Sequence, residues 1–197
     1  MNDLSQEIAT AAARLIVEDG MDYGAAKRQA LRQLGLPSRT PLPTNDRVEG
    51  AVREHIAVFC QDRQPSELLA LRRLALRWMQ RLAPFRPYLD GAVWHGTATR
   101  HSDVVLHLFC DDPKSAEIAL IDMGLRFGTG GGAGASGDEP QVLSLTVPCP
   151  ELGEPVGLHL LVRDHNDLRG ALKPDPLGRA PRGDAVALAR LLDNPAA

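Results

Sequence analysis

Hydrophobic side chains recur every three or four positions through the first 83 residues, which is the spacing of helices that each bury one face. The pattern predicts four helices, at residues 4–19, 22–34, 45–59 and 66–83. Asp22 is a suitable N-cap for the second helix, and Thr44 or Asn45 for the third. Gly20 and Gly35 follow the first two helices, where glycine commonly ends a helix.

The pattern changes after Pro87, where short apolar segments rich in β-branched residues predict strands. The predicted strands are residues 91–95, 103–110, 125–127, 141–147 and 156–162, with helices at 113–123 and 184–192. This order is typical of an α+β fold rather than of a doubly wound parallel sheet. We therefore predict a helical N-terminal region, residues 1–64, followed by an α+β domain with a small mixed sheet and a C-terminal tail, residues 65–197.

The composition of the chain indicates which kinds of binding partner and which cellular compartment to expect. The formal net charge is −3 and the isoelectric point about 6.1, so charge gives no general reason to expect nucleic-acid or membrane binding. No run of about 18 apolar residues occurs, and the N-terminus lacks the basic and then apolar pattern of a signal peptide. The three cysteines lie far apart without a CxxC pair, which is typical of reduced thiols. We expect a cytoplasmic protein.

Chemistry-bearing residues concentrate in WHGTATRHSDVVLHLF, residues 94–109. Gly96-Thr97 forms a small-residue turn, whose backbone N–H groups can approach phosphate oxygens closely, and Ser102-Asp103 precedes a strong strand. The order resembles nucleotidyltransferases of the polymerase-β type, which place Asp-x-Asp on this strand to share divalent metal ions. The resemblance implies that Gly96, Thr97 and Ser102 contact a phosphate-bearing ligand and that Asp103 binds metal.

The chain departs from this pattern at the carboxylates. Val105 stands where the second aspartate is expected, and His159 stands where a later strand is expected to supply the third. A two-metal site is difficult to build on Asp103 alone, so standard two-metal catalysis is disfavoured, and Mg²⁺ is the expected cofactor only if nucleotide binding is retained. The simpler alternative is that Thr97, Ser102 and Asp103 form a capped turn before a buried strand.

The histidines form a second group of candidates. His107 lies on the same strand face as Asp103, His159 has the same LHL context on the last strand, and His95 ends the first predicted strand. If the sheet aligns these strands, two or three imidazoles converge near Asp103, where they could bind Zn²⁺ or phosphate, or transfer protons. The alternative is that each is a partly buried histidine with its own hydrogen bonds.

Two further segments allow a ligand-binding interpretation. The glycine-rich segment from residue 128 to 137 lacks the lysine of a phosphate loop and a following helix, which favours a flexible hairpin loop. Residues 168–184 carry three arginines and one lysine among prolines and glycines. They are expected to form a strip along the domain surface, or to fold over a ligand bound at the turn. DNA binding by the N-terminal helices is disfavoured by the negative charge.

Residues 12–35 and 85–122 together resemble a family of uncharacterised proteobacterial proteins treated as nucleotidyltransferase-like. Some members carry the name UDP-N-acetylmuramate–alanine ligase, but this chain lacks the phosphate loop and lysine that such a ligase needs. The resemblance implies a degenerate nucleotidyltransferase fold that binds a nucleotide, a phosphorylated small molecule or a protein partner. The alternative is an active nucleotidyl or phosphoryl transferase whose catalytic residues are Asp103, His107 and His159.

Overall fold

The computed structural model describes residues 2–130, 140–174 and 178–194. Its contacts divide the chain into two compact units. The first contains Met1–Leu68 and Thr97–His101, and the second contains Leu69–Gly96 and Ser102–Ala197. A helical N-terminal region followed by a small mixed sheet confirms the predicted α+β class.

The first unit is helical. Its helices are α1 (Asn2–Asp19), α2 (Tyr23–Gln33), α3 (Asn45–Phe59) and the beginning of α4 (Gln64–Arg81). The Asp22 carboxylate accepts a hydrogen bond from the Ala25 N–H at 2.9 Å, and the Thr44 hydroxyl accepts one from the Arg47 N–H at 3.4 Å. Both predicted caps therefore form, and they satisfy N–H groups that have no partner inside the helix.

The second unit contains the rest of α4 and all the strands. Its other elements are β1 (Tyr88–Asp90), α5 (Gly91–His95), β2 (Val104–Cys110), α6 (Pro113–Asp122), β3 (Gly128–Gly130), β4 (Gln141–Cys149), β5 (Glu154–Asp164), α7 (Leu168–Ala171) and α8 (Ala185–Asp193). The sheet order is β1-β2-β5-β4-β3, in which β2 and β5 run parallel and the other neighbours run antiparallel. Among the described residues, no helix is both long and apolar enough to cross a membrane.

One face of the sheet is buried, and α6 contacts β2 and β5. The residues that β2, β4 and β5 bury on this face include Leu106, Leu108, Leu143, Leu158 and Leu160, all with no exposed surface. Their neighbours along each strand point to the opposite face, because side chains alternate along a strand. That opposite face carries the polar residues described below.

The structure corrects the prediction of a strand at residues 91–95, which form α5 instead. Asp90 caps this helix by accepting a 2.6 Å hydrogen bond from the Gly91 N–H, and Gly96 ends it at φ 80°. Five apolar residues are too few for periodicity to separate a strand from a helical turn. The strand lies just before, as β1.

The third predicted strand was also misplaced, because β3 lies at Gly128–Gly130 rather than at residues 125–127. Met123 and Gly124 still belong to the end of α6, since their N–H groups bond back to Ala119 and Ile121. Most of the glycine-rich segment, for which a hairpin loop was predicted, lies outside the described residues.

The C-terminal tail extends the sheet beyond β1. Leu89 and Gly183 exchange two backbone hydrogen bonds, of 2.8 and 3.0 Å. The Trp94 ring lies so close to Gly183 that a Cβ added there would collide with it, and the indole N–H donates to the Ala180 carbonyl at 2.9 Å. The tail is therefore held in place at Ala180 and Gly183.

Candidate functional site

Most of the predicted site residues on the sheet lie on the face opposite its buried side. We call this face the polar face. It is formed by Asp103 just before β2, by Val105 and His107 along β2, by Gly157, His159, Leu161 and Arg163 along β5, and by Ser144 on β4. In the parallel pairing of β2 with β5, Val105 lies beside His159, and His107 beside Leu161. The register therefore places His159, and not His107, nearest to Asp103.

Asp103, His159 and Ser144 form a hydrogen-bonded chain across three strands. The Asp103 carboxylate is 3.0 Å from His159 Nε2, and His159 Nδ1 is 2.9 Å from the Ser144 hydroxyl oxygen. The second carboxylate oxygen of Asp103 accepts the Gly157 N–H at 3.1 Å. A side chain at residue 157 would collide with this carboxylate, so glycine is required there for space.

The contacts of Asp103 and His159 shift both of their pKa values. The hydrogen bond from His159 lowers the pKa of Asp103 below its usual 3.8, against the opposing effect of partial burial. The same bond raises the pKa of His159 above its usual 6.5, again against burial. Each group therefore favours the charged form of the other. The chain supplies a carboxylate, an imidazole and a hydroxyl in sequence, which is an arrangement suited to moving a proton.

A second group of contacts surrounds His107, whose side chain is only 4% exposed. His107 Nε2 is 2.9 Å from the Asp90 carboxylate, and its Nδ1 is 3.0 Å from Arg163 Nε and 3.2 Å from Arg182 Nη1. A guanidinium only donates hydrogen bonds, so Nδ1 must accept and carries no proton. His107 is therefore the neutral tautomer that donates through Nε2 to Asp90.

We call the four residues Asp90, His107, Arg163 and Arg182 the arginine cluster. Asp90 supplies its carboxylate. Arg182 Nη2 lies 3.1 Å from the Asp90 carboxylate. Burial raises the pKa of Asp90, but the hydrogen bonds from His107 and from the Gly91 N–H, together with the charge of Arg182, outweigh this effect. The pKa of Asp90 therefore lies below its ordinary value, and Asp90 is an anion at neutral pH.

The histidines do not converge on one point. His159 meets Asp103, whereas His107 belongs to the arginine cluster. Within the described ranges, no three His, Cys, Asp or Glu side chains lie close enough to hold a metal ion. The predicted metal role of Asp103 and the predicted catalytic roles of Asp103, His107 and His159 stay predictions.

The predicted phosphate-binding turn falls on both units. Gly96 ends α5 in the second unit, and Ser102 precedes β2 there. Thr97 belongs to the first unit, is only 4% exposed, and forms a side-chain hydrogen bond with Tyr23. The roles predicted for Gly96, Thr97 and Ser102 in contacting a ligand stay predictions.

Sequence reasoning did not select four residues that complete these contacts: Ser144, Asp90, Arg163 and Arg182. The position of Ser144 within a predicted strand, at a point where its side chain faces away from Leu143 and Leu145, was a usable signal. The arginines of the tail were noted as a group, but nothing local singles out Arg182. Its place depends on the pairing of Gly183 with β1.

No protein-family model matches the chain, and no curated protein matches it. Among solved structures, Cid1 in complex with the UTP analogue UMPNPP is 17% identical with a TM-score of 0.35, over 49% of this chain and 30% of that one. Cid1 with its short product ApU is 19% identical with a TM-score of 0.35, over 51% of this chain and 32% of that one. The chain thus spans about a third of the length of these structures.

Proposed function

We propose that the second unit is a nucleotidyltransferase-like module that binds a nucleotide or a phosphorylated small molecule without two-metal catalysis. The observation that supports this best is the engagement of Asp103 by His159 and by the Gly157 N–H. Both carboxylate oxygens of Asp103 already accept hydrogen bonds. A metal ion at Asp103 therefore competes with a partner that favours the ionised carboxylate.

The neighbour of Asp103 on the same strand face supports the same conclusion. Val105 offers no ligand atom, and the residue beside it on β5 is His159, which is occupied on both ring nitrogens. Two-metal transfer needs carboxylates that bridge both ions, and Mg²⁺ prefers hard oxygen ligands. Ligand binding on this face is accordingly expected to be independent of divalent metal.

Titration calorimetry with ATP, GTP, CTP and UTP tests the proposal, with Mg²⁺ and separately with EDTA. We expect at least one nucleotide to bind with the same affinity in both conditions. Asp122→Asn is a matched control for Asp103→Asn, because Asp122 is an exposed carboxylate at the end of α6. Binding that disappears with EDTA, or Mg²⁺-dependent release of pyrophosphate, would contradict the proposal. Absence of heat with every nucleotide would leave only the versions in which the module binds a phosphorylated small molecule or a protein partner.

A second candidate is favoured by the hydrogen-bonded chain that ends at Ser144. In this alternative the unit is an active nucleotidyl or phosphoryl transferase. The proton of an attacking hydroxyl passes through the Ser144 hydroxyl to His159 Nδ1, while the oxygen of the attacking hydroxyl bonds to phosphorus and the remaining phosphate group of the nucleotide leaves. Asp103 stabilises the imidazolium through Nε2. Incubation with labelled nucleotides and candidate acceptors tests it. We expect Ser144→Ala and Asp103→Ala to lower turnover, and equal turnover in the wild type and Asp103→Ala would exclude this mechanism.

A further inference from the structure

The arginine cluster carries more positive than negative charge. His107 is neutral, as its acceptor role requires, so the cluster contains two guanidinium cations and one carboxylate. The side chains of Arg182 and Asp90 are only 15% and 22% exposed, and Arg163 is of intermediate exposure. A net charge of one cation in a partly buried place is costly unless an anion accompanies it.

The cluster also has more hydrogen-bond donors than acceptors. Arg163 Nε and Arg182 Nη1 both point to His107 Nδ1, and a ring nitrogen has a single lone pair. Arg182 Nε is buried without a hydrogen-bond partner among the described residues. The two Nη groups of Arg163 have no acceptor in the described part of the chain either, but they are not buried. An acceptor with several oxygen atoms would satisfy these donors together.

The two arginines act against each other electrostatically. Burial is the main cause that lowers the pKa of Arg182, and the positive charge of Arg163 lowers it to a smaller extent than the Asp90 carboxylate raises it. Arginine stays protonated at neutral pH in any case, so both guanidinium groups remain cationic. A dianion placed between them would offset their mutual repulsion and accept further hydrogen bonds.

The backbone around the cluster is fixed before any ligand arrives. Arg163 lies on β5, which pairs on both sides, and Arg182 precedes Gly183, which pairs with Leu89. The Trp94 ring against Gly183 holds the tail in this position. A site whose groups are already positioned loses little conformational entropy when it binds.

We propose that Arg163 and Arg182 form a binding site for a phosphate group on the polar face. Guanidinium groups match phosphate oxygens in planar, two-pronged hydrogen bonds, which a lysine does not provide. The site binds the phosphate group of a phosphate monoester or the terminal phosphate of a nucleotide. That a nucleotide is the natural source of this phosphate rests on the function proposed above, whereas the anion site itself rests only on the contacts of the cluster.

The alternative is that the arginines only hold the tail against β1. Arg182 makes an ion pair with Asp90 that a structural role would explain. Arg163 separates the two interpretations, because the side-chain hydrogen bond that it makes among the described residues goes to His107 on β2 and not to the tail. A structural role predicts that an Arg163 variant changes stability alone, whereas an anion site predicts a loss of phosphate affinity in a protein that is still folded.

The experiment titrates inorganic phosphate, and in parallel acetate, into wild type, Arg163→Met, Arg163→Lys, Arg182→Met and Arg77→Met. Arg77→Met is the matched control, since Arg77 already makes a two-pronged bond to Glu151 on the same unit. We expect phosphate to bind the wild type and Arg77→Met equally. We expect Arg163→Met and Arg182→Met to bind it at least about tenfold more weakly, which is about 1.4 kcal/mol, and Arg163→Lys to fall between.

Several results would overturn the site. These are absence of phosphate binding in the wild type, equal binding in Arg163→Met, and acetate binding as tight as phosphate. Near-ultraviolet circular dichroism of each variant shows whether it is folded, and Arg163→Met remains decisive if Arg182→Met unfolds. Nucleotide titration of the same variants separates the two proposals. Nucleotides that bind wild type and Arg163→Met equally would refute only the use of this site by nucleotides, whereas phosphate binding without nucleotide binding would refute only the nucleotide form of the proposed function.

Discussion

The ion pair between Asp103 and His159 makes a prediction about pH that depends directly on the observed register. In a double-mutant cycle of Asp103→Ala, His159→Ala and the double variant, the coupling energy isolates the interaction of the two side chains. The Gly157 N–H loses its acceptor in both variants that lack Asp103, so that loss cancels from the cycle. The coupling energy therefore reports only the interaction between the Asp103 and His159 side chains.

The size of the coupling follows from the exposure of the two side chains. They are 52% and 34% exposed, so solvent and salt screen the interaction substantially. Measured exposed pairs contribute about 0.2–1 kcal/mol, and the single 3.0 Å contact gives no reason to expect more. We expect a coupling of about 0.5–1 kcal/mol at its maximum, reduced by high salt.

The direction of the pH dependence follows from the two pKa shifts. The pKa of Asp103 is lowered from 3.8, so its contribution is present above that value and is lost as the pH falls through the folded pKa. The pKa of His159 is raised from 6.5, so its contribution is fully present below that value and is lost as the pH rises through the folded pKa. The coupling should therefore be largest between 3.8 and 6.5, and smaller at alkaline pH.

Urea unfolding followed by tryptophan fluorescence measures this coupling, because Trp78 and Trp94, the two tryptophans of the chain, both lie in the second unit. A parallel cycle on Arg77 and Glu151 is the control, since arginine does not titrate between about pH 5 and pH 9. A coupling for Asp103 and His159 that is the same at about pH 5 and pH 9, or that is larger at pH 9, would refute the reasoning.

Three further predictions concern the frame that positions the polar face. Gly183→Ala should lower stability by about 1–3 kcal/mol, measured by thermal unfolding, because the new methyl group overlaps the Trp94 ring; an unchanged melting temperature would contradict this packing. Arg72→Met should cost about 1–3 kcal/mol in urea unfolding, because Arg72 donates to two carbonyl groups of α5 at 3.1 and 3.3 Å, and Arg72→Lys should recover part of it. Arg77→Met should move the pKa of Glu151 from about 2 towards 4.5, because the hydrogen bond from Arg77 is the main cause of the low value; a carboxyl NMR titration that still gives about 2 would exclude this cause.

The helices were predictable because their signals are local. Asp22 and Thr44 cap α2 and α3 as the sequence indicates, and the apolar spacing of each helix spans enough turns to be distinctive. The prediction of a strand at residues 91–95 was wrong because this segment is too short to carry a distinctive local signal. It is a single turn, and its helical geometry depends on the Asp90 cap and on two glycines with positive φ, Gly91 and Gly96.

The sequence predicts only one feature of the candidate site, namely which residues of a strand share a face, because side chains alternate between the two faces of a strand. Alternation places Asp103 and His107 on one face of β2, but it does not reveal which of them His159 approaches. The register between β2 and β5 decides this, since Val105 lies beside His159. The register arises from packing of the whole sheet. The contact between Asp103 and His159 therefore cannot be predicted from local sequence, because the two residues are 56 positions apart.

Val105 has a consequence for the whole polar face. It separates two groups of charge on β2, because Asp103 precedes it and His107 follows it on the same strand face. The pair at Asp103 is internally neutral when His159 is charged, whereas the arginine cluster at His107 keeps an excess cation. An aspartate at residue 105 would lie beside His159 and opposite Asp90, where it would add a second negative charge close to the Asp90 carboxylate. The apolar residue at this position thus offers no ligand to a metal ion and adds no negative charge to the face.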